Sequence, residues 1–177
     1  RDETRLTDLA GELAADHGVN TEVIVADLAT EPGRDAATTR LAEGVDVLVN
    51  NAGFATDTPF WDADIASLRE QLAVNVTAVL ELSHAAVPAM RKAGSGAIVN
   101  VASVGALLPG AAATYNGSKA WVVKFSEDLA RQLAGSGVRV QALCPGFMDT
   151  AFHTRAGQDI SGVAKSLVSA PEDVAKT

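Results

Sequence analysis

Gly96-Ala-Ile-Val-Asn-Val-Ala-Ser103, with Tyr115-Asn-Gly-Ser-Lys119 beginning twelve residues after that serine, is the stretch on which the fold reading turns. Residues 97–101, after the turn at 94–96, predict a strand. Residues 112–135 predict the helix that follows it. On a helix, positions i and i+4 lie on one face, so Tyr115 and Lys119 emerge as neighbours. A nearby cation favours phenolate, which lowers a tyrosine pKa from its reference of about 10. Tyr115 is therefore expected to act as an acid/base near neutral pH. Taken alone, the same spacing describes an exposed helix face more often than a catalytic pair.

Outward from this stretch, strand and helix patterns alternate. Residues 3–17 carry leucines and alanines at helical spacing and stop at Gly18. Residues 21–27 predict a strand, 34–43 a helix closed by Gly44, and 45–50 a second strand. A long helix is expected over 64–92, kinked or shortened by its interior Pro88. Residues 138–143 predict a last strand. Residues 149–177 read as a loop with short helices, one starting at Pro171. This alternation argues for one α/β domain with a parallel sheet, right-handed crossovers and a ligand at the carboxyl ends of the strands.

Those ends carry suggestive residues. The strand over 21–27 ends in Asp27, which could accept a bond from a ligand amine or simply cap a turn. Next comes Asn50-Asn51-Ala52-Gly53, small enough to admit a ligand to the backbone, and equally a plain turn with asparagines holding its shape. After the third strand come Ser103 and the Tyr115/Lys119 pair. The fourth ends in Cys144-Pro145-Gly146, with Thr150 beyond. Cys144 reads as a buried small hydrophobe rather than a nucleophile.

Composition narrows the classes. With 177 residues, 47% of them hydrophobic, the chain has room for one sizeable core. A net charge of -8 argues against nucleic acid, because nothing would neutralise its phosphates. No apolar run looks long enough to span a bilayer, and residues 1–5 lack the apolar core of a secretory signal. One cysteine excludes an internal disulfide and suits a reducing compartment. The three histidines are scattered and accompany no cysteine cluster, so no metal is expected. These features predict a cytoplasmic protein with neither membrane nor nucleic-acid partners.

Taken in order, Asp27, Asn50-Asn51-Ala52-Gly53, Asn75, Ser103, Tyr115-x-x-x-Lys119 and Pro145-Gly146 with Thr150 resemble the short-chain dehydrogenase/reductase (SDR) family. The resemblance covers essentially the whole chain. It implies a Rossmann-like doubly wound parallel sheet in three layers, α/β/α. It also implies an NAD(P)-dependent oxidoreductase acting on a small-molecule carbonyl or alcohol substrate. Tyr115 would exchange a proton with the substrate oxygen. Ser103 would hydrogen-bond and polarise that oxygen. Lys119 would lower the Tyr115 pKa and bind the nicotinamide ribose. Asn75 would hold a water in a proton relay to Lys119. Asp27 and Leu28 would contact adenine, and Asn51, Ala52 and Gly53 the adenosine and ribose side. Pro145, Gly146 and Thr150 would embrace the nicotinamide. Phe147, Met148, Phe152 and Leu167, in what matches the family's variable substrate loop, suggest an apolar wall and equally suit oligomer or core contacts.

The pattern also departs from the family. Its first strand, Gly-rich pyrophosphate turn, first helix and second strand have no counterpart here. Arg1 falls where NADP-preferring members carry an arginine for the 2′-phosphate, which favours NADP(H) over NAD(H). In the doubly wound order the two missing strands would lie between those ending at Asp27 and Asn50, leaving a gap of roughly 14 Å. The expectation is a segment of a protein of roughly 250 residues, a homo-oligomer in its full-length form. The alternative is a non-catalytic remnant or interaction module, because the cofactor turn is absent. An epimerase or dehydratase with the same Tyr/Lys pair fits less well, since such relatives carry a larger substrate domain.

Overall fold

The computed structural model describes residues 2–56, 58–148 and 168–175. Arg1, Thr150, Phe152 and Leu167, named above, lie outside the described residues.

Helix α1 spans Glu3–His17, with the Asp2 side chain accepting from Arg5 N and Gly18 closing it at φ 63°. Glycine enters that left-handed conformation without a Cβ penalty, so the stop is sharp. None of its residues is buried. Residues 21–27, expected as a strand, form none. A β-branched run becomes a strand only beside a ladder partner, and the described sheet offers none there. Helix α2, Glu31–Ala42, starts three residues before the expected Arg34, because Thr30 caps Gly33 N and Pro32 sits in the first turn. Arg34 Nε and Glu81 Oε2, 2.7 Å apart, tie it to the long helix.

The sheet is parallel, in the order β1 (Val47–Asn50), β2 (Gly96–Val101), β3 (Val138–Leu143). Leu48 pairs with Ile98, Asn50 with Asn100, and Val101 with Leu143. Between β1 and β2 run α3 (Ile65–Leu72), a π-helical turn (Ala73–Thr77) and α4 (Ala78–Ala93). Pro88 does not shorten α4. Burial of Leu82, Ala86 and Met90 on either side of it offsets the lost backbone bond. Helix α5, Ala113–Gln132, links β2 to β3.

The core lies on one face of the sheet. Leu48, Ile98 and Val138 meet Ala78, Leu82, Ala86 and Met90 of α4 and Leu133 just past α5. Within it, Asn50 Nδ2 donates to Asn100 Oδ1 (2.8 Å) and Ser83 Oγ (3.1 Å), and Asn100 Nδ2 to Ser126 Oγ (2.9 Å). The Asn50 side chain thus joins strand to strand and to α4 instead of shaping its own loop. On the opposite face Val47 and Val49 are 58% and 56% exposed.

The continuous helix Ile65–Ala93, 29 residues with a stretch of mean hydropathy 1.3, is long and apolar enough to cross a membrane. The absence of such a run expected from the sequence is therefore corrected: length and hydropathy are present. What distinguishes it is that Ala78, Leu82, Ala86 and Met90 are spent on the sheet and that Gln71, Asn75 and Ser83 are buried polar groups. Beyond β3, β4 (Phe147–Met148) pairs in parallel with β5 (Val168–Ser169), and α6 (Pro171–Ala175) starts at Pro171 as expected.

Candidate active site

The site forms where β2 ends. Ala102 N donates to Leu143 O at 2.7 Å, so the chain leaves the sheet locked to β3. Ser103 follows, its Oγ accepting from Gly105 N at 3.1 Å and shaping a short 3₁₀ turn, Val104–Ala106. Val104 N donates to Pro145 O at 3.0 Å, which brings buried Pro145 beside the same turn. The chain then re-enters at α5, whose first turn carries Tyr115 and whose second carries Lys119.

Lys119 is 4% exposed, and its Nζ donates to Val101 O at 2.7 Å. That ammonium stands 5.9 Å from the centre of the Tyr115 ring. Burial lowers the Lys119 pKa to about 8, with half-buried Cys144 working the other way. Burial likewise raises the Tyr115 pKa, and a side-chain hydrogen bond with Ser103 opposes the rise. The expected lowering of Tyr115 by Lys119 is thus corrected: in this geometry the ammonium serves the Val101 carbonyl, and desolvation of the phenol dominates.

Asn75 is fully buried in the π-helical turn. Its Oδ1 accepts from Phe54 N (3.1 Å), and its Nδ2 donates to Phe54 O (3.0 Å) and Ser118 Oγ (3.2 Å). Ser118 Oγ in turn donates to Tyr115 O at 2.7 Å. The first turn of α5 is therefore braced against the long helix. Gly53 passes directly above: a Cβ there would stand 3.1 Å from Asn75 Oδ1 and 3.3 Å from Lys119 Nζ. Any side chain would crowd the two groups that line the site.

Gly53, Asn75, Ser103, Tyr115, Lys119 and Pro145 therefore converge. Asn51, Ala52 and Gly146 are exposed around them, and Phe147 is 40% exposed. Asp27 behaves as a turn residue: its Oδ1 accepts from Ala29 N at 3.0 Å and its carbonyl from Thr30 N and Oγ1. Leu28 packs on the core, and its carbonyl accepts from Arg34 Nη1. Among the described residues no cluster of metal-ligating side chains occurs. Sequence reading missed Ser118 and Gln71. Ser118 was visible as the residue three positions after Tyr115 on the same helix, whereas a π turn at Asn75 leaves no mark in composition.

The sequence matches the short chain dehydrogenase family over residues 1–161. It is 37% identical to sulfoacetaldehyde reductase 2 of Chromohalobacter salexigens, covering 90% of this chain and 65% of that protein. It is 30% identical to the 3-oxoacyl-[acyl-carrier-protein] reductase of Aquifex aeolicus, over 94% of this chain and 71% of that one. A short-chain dehydrogenase from Sphingobium yanoikuyae, solved with NADPH, superposes with TM-score 0.95 at 32% identity, covering 99% of this chain and 69% of its own. L-Sorbose reductase from Gluconobacter frateurii, solved with NADPH and L-sorbose, gives 0.85 at 29% identity, over 99% of this chain and 75% of its own. The chain belongs to the short-chain dehydrogenase family, an oxidoreductase family with an α/β fold. It spans 60% and 65% of two of the curated relatives it matches.

Proposed function

We propose that the protein of which this chain is a part is an NADP(H)-dependent oxidoreductase that interconverts a carbonyl and an alcohol. The observation that carries the reading is the meeting of Ser103, Tyr115 and buried Lys119 at the carboxyl end of β2. The donor set fits the nicotinamide half of such a cofactor. An ammonium has three donors, of which Lys119 uses one on Val101 O among the described residues, and Gly53 keeps the space above it clear. Lys119, Gly53, Pro145 and Gly146 would hold that half. The bound cofactor would supply or take the hydride.

The rest is proton handling by this chain. In reduction, Ser103 Oγ and the Tyr115 hydroxyl both donate to the substrate oxygen, and Tyr115 gives up its proton. A phenol kept protonated by burial is in the correct state for that task at neutral pH. In oxidation Tyr115 must first lose its proton, so that direction gains with rising pH. Asn75 fixes the Phe54 backbone and Ser118, and through them the angle at which α5 presents Tyr115. NADP(H) over NAD(H), a cytoplasmic location and a homo-oligomeric whole protein complete the proposal. NADP or NADPH appears with several of the superposed structures.

Replacing Tyr115 by Phe in the full-length protein is expected to cut carbonyl-dependent NADPH oxidation by about 10²–10⁴-fold, the usual worth of a positioned acid. Cofactor affinity should stay within threefold, or about 0.7 kcal/mol. Turnover at the wild-type rate would reject the assignment. A second reading, an interaction module without turnover, draws on the open outer face of β1, where Val47 and Val49 are exposed. Titrating the 177-residue chain with NADPH separates the two, since saturable binding with a cooperative melt opposes that module.

A further inference from the structure

Two glycines flank one side chain at the entry to α5. Asn116 follows Tyr115 in the first turn of that helix, its N donating to Ala112 O at 2.8 Å. A Cβ at Gly105 would stand 2.6 Å from Asn116 Oδ1, and a Cβ at Gly110 would stand 2.7 Å from Asn116 Nδ2. Real Cβ atoms do not come that close to a neighbour. Neither glycine has a positive φ, so the backbone of an alanine would fit at both. Room, not conformation, is what each position lacks, and the Asn116 amide takes it.

Gly105 and Gly110 lie on the two limbs of the connection from Ser103 to α5, with the half-buried Asn116 between them. Gly105 also touches the serine. Its N donates to Ser103 Oγ at 3.1 Å, and the same Cβ position lies 3.5 Å from that oxygen. The contacts therefore run in order: Tyr115, its neighbour Asn116, Gly105, Ser103. Accepting from Gly105 N engages one lone pair of the Ser103 hydroxyl and leaves its single proton to be donated elsewhere. Where Gly105 stands thus decides where that proton points.

We propose that Asn116 is a positioning residue whose amide, seated between Gly105 and Gly110, sets the Ser103 hydroxyl against the Tyr115 hydroxyl. The helix that carries Tyr115 carries the spacer for Ser103 one residue later, so the two donors keep one separation. The inference rests on the reading in which both hydroxyls meet one substrate oxygen.

The test uses the full-length protein and follows the ionisation of Tyr115 by tyrosinate absorbance after a pH jump, with the signal of Tyr115→Phe subtracted. Burial raises the Tyr115 pKa and the hydrogen bond with Ser103 opposes the rise, so Ser103→Ala should move the ionisation to higher pH. Asn116→Ala should move it the same way. Combining the two should move it no further than Ser103→Ala alone, because one acts through the other. Gly105→Ala, whose methyl would claim the place of the amide, should reproduce the Asn116→Ala shift and covers the case in which Asn116→Ala fails to fold. Carbonyl-dependent NADPH oxidation should fall about tenfold in Asn116→Ala, short of the roughly 10²–10³-fold that loss of a donor costs, with the KM for NADPH within about twofold. An ionisation that Ser103→Ala or Asn116→Ala leaves in place, or shifts that add in the double variant, would assign Asn116 a packing role and overturn the proposal. Coupled shifts without carbonyl turnover by the wild type would keep the positioning role and reject the oxidoreductase reading instead.

Discussion

The two sides of the sheet handle their buried groups differently. On the β2–β3 side, nearly every buried polar atom has a partner: Asn75, Asn100, Ser118, Ser126 and Lys119 all make hydrogen bonds inside the chain. The inward apolar residues of β2 and β3 are covered by α4 and α5, while Leu107 and Leu108 just beyond β2 stand 64% and 63% exposed. On the side of α1, residues 21–27 and β1, large hydrophobics stand in solvent, among them Leu9 at 52%, Ile24 at 37% and Val49 at 56%. The first side is close to self-sufficient in hydrogen bonds, and its strands are packed. The second has the composition of a core without the burial, which is how a surface looks when something else is meant to lie on it.

The largest expected effect lies on the satisfied side. Asn75→Ala removes three hydrogen bonds and strands Phe54 N, so unfolding free energy should fall by about 3 kcal/mol in urea. A loss under about 1 kcal/mol would mean that the brace between the long helix and α5 is dispensable.

A second, smaller effect concerns Lys119 and has a defined sign. Its folded pKa of about 8 lies below the ordinary 10.5. Below pH 8 the lysine is charged in both states and the burial penalty stands in full. Above 10.5 it is neutral in both, and the penalty is gone. Between those values the unfolded chain holds more proton, so stability rises with pH. Relative to Lys119→Met, wild type should gain about 2 kcal/mol between pH 8 and 10 by urea denaturation. A flat difference would place the ammonium in water.

The smallest effect is expected on the open side. Val49→Thr should alter the stability of this chain by less than about 0.5 kcal/mol, because the position is exposed. A loss above about 1.5 kcal/mol would show that the face is covered and would erase the contrast between the two sides.

Legibility in the sequence follows the same division. The bounds of α1 and β3 were readable because Gly18 and the alternation over 138–143 are local signals. That Tyr115 and Lys119 share a helix face was readable from their spacing, but only the other strand ends taken with them marked the pair as a site. Residues 21–27 have the β-branched content of a strand, yet a ladder depends on a neighbour that no local pattern supplies. The direction of the Tyr115 shift escaped because it depends on how deeply the fold buries the phenol, which no local pattern shows. Asn116 escaped because its meaning is a fit against two glycines, visible only once both are placed.

The π-helical turn at Ala73–Thr77 sets the aim of the whole long helix. Gln71, Asn75, Val79, Leu82, Ala86 and Met90, all buried, follow one another at steps of three or mostly four residues. In an ordinary α-helix a step of four overshoots a full turn by about 40°, so such a row winds around the cylinder. A turn that takes in an extra residue subtracts that accumulated rotation. The row is brought back into line midway, with its upper part directed at the Phe54 loop and its lower part at the sheet. Deleting one residue from 73–77 would swing Met90 and Ala86 out from under Ile98 while leaving Gln71 in place. The wide turn is a timing correction between two otherwise regular pieces of helix.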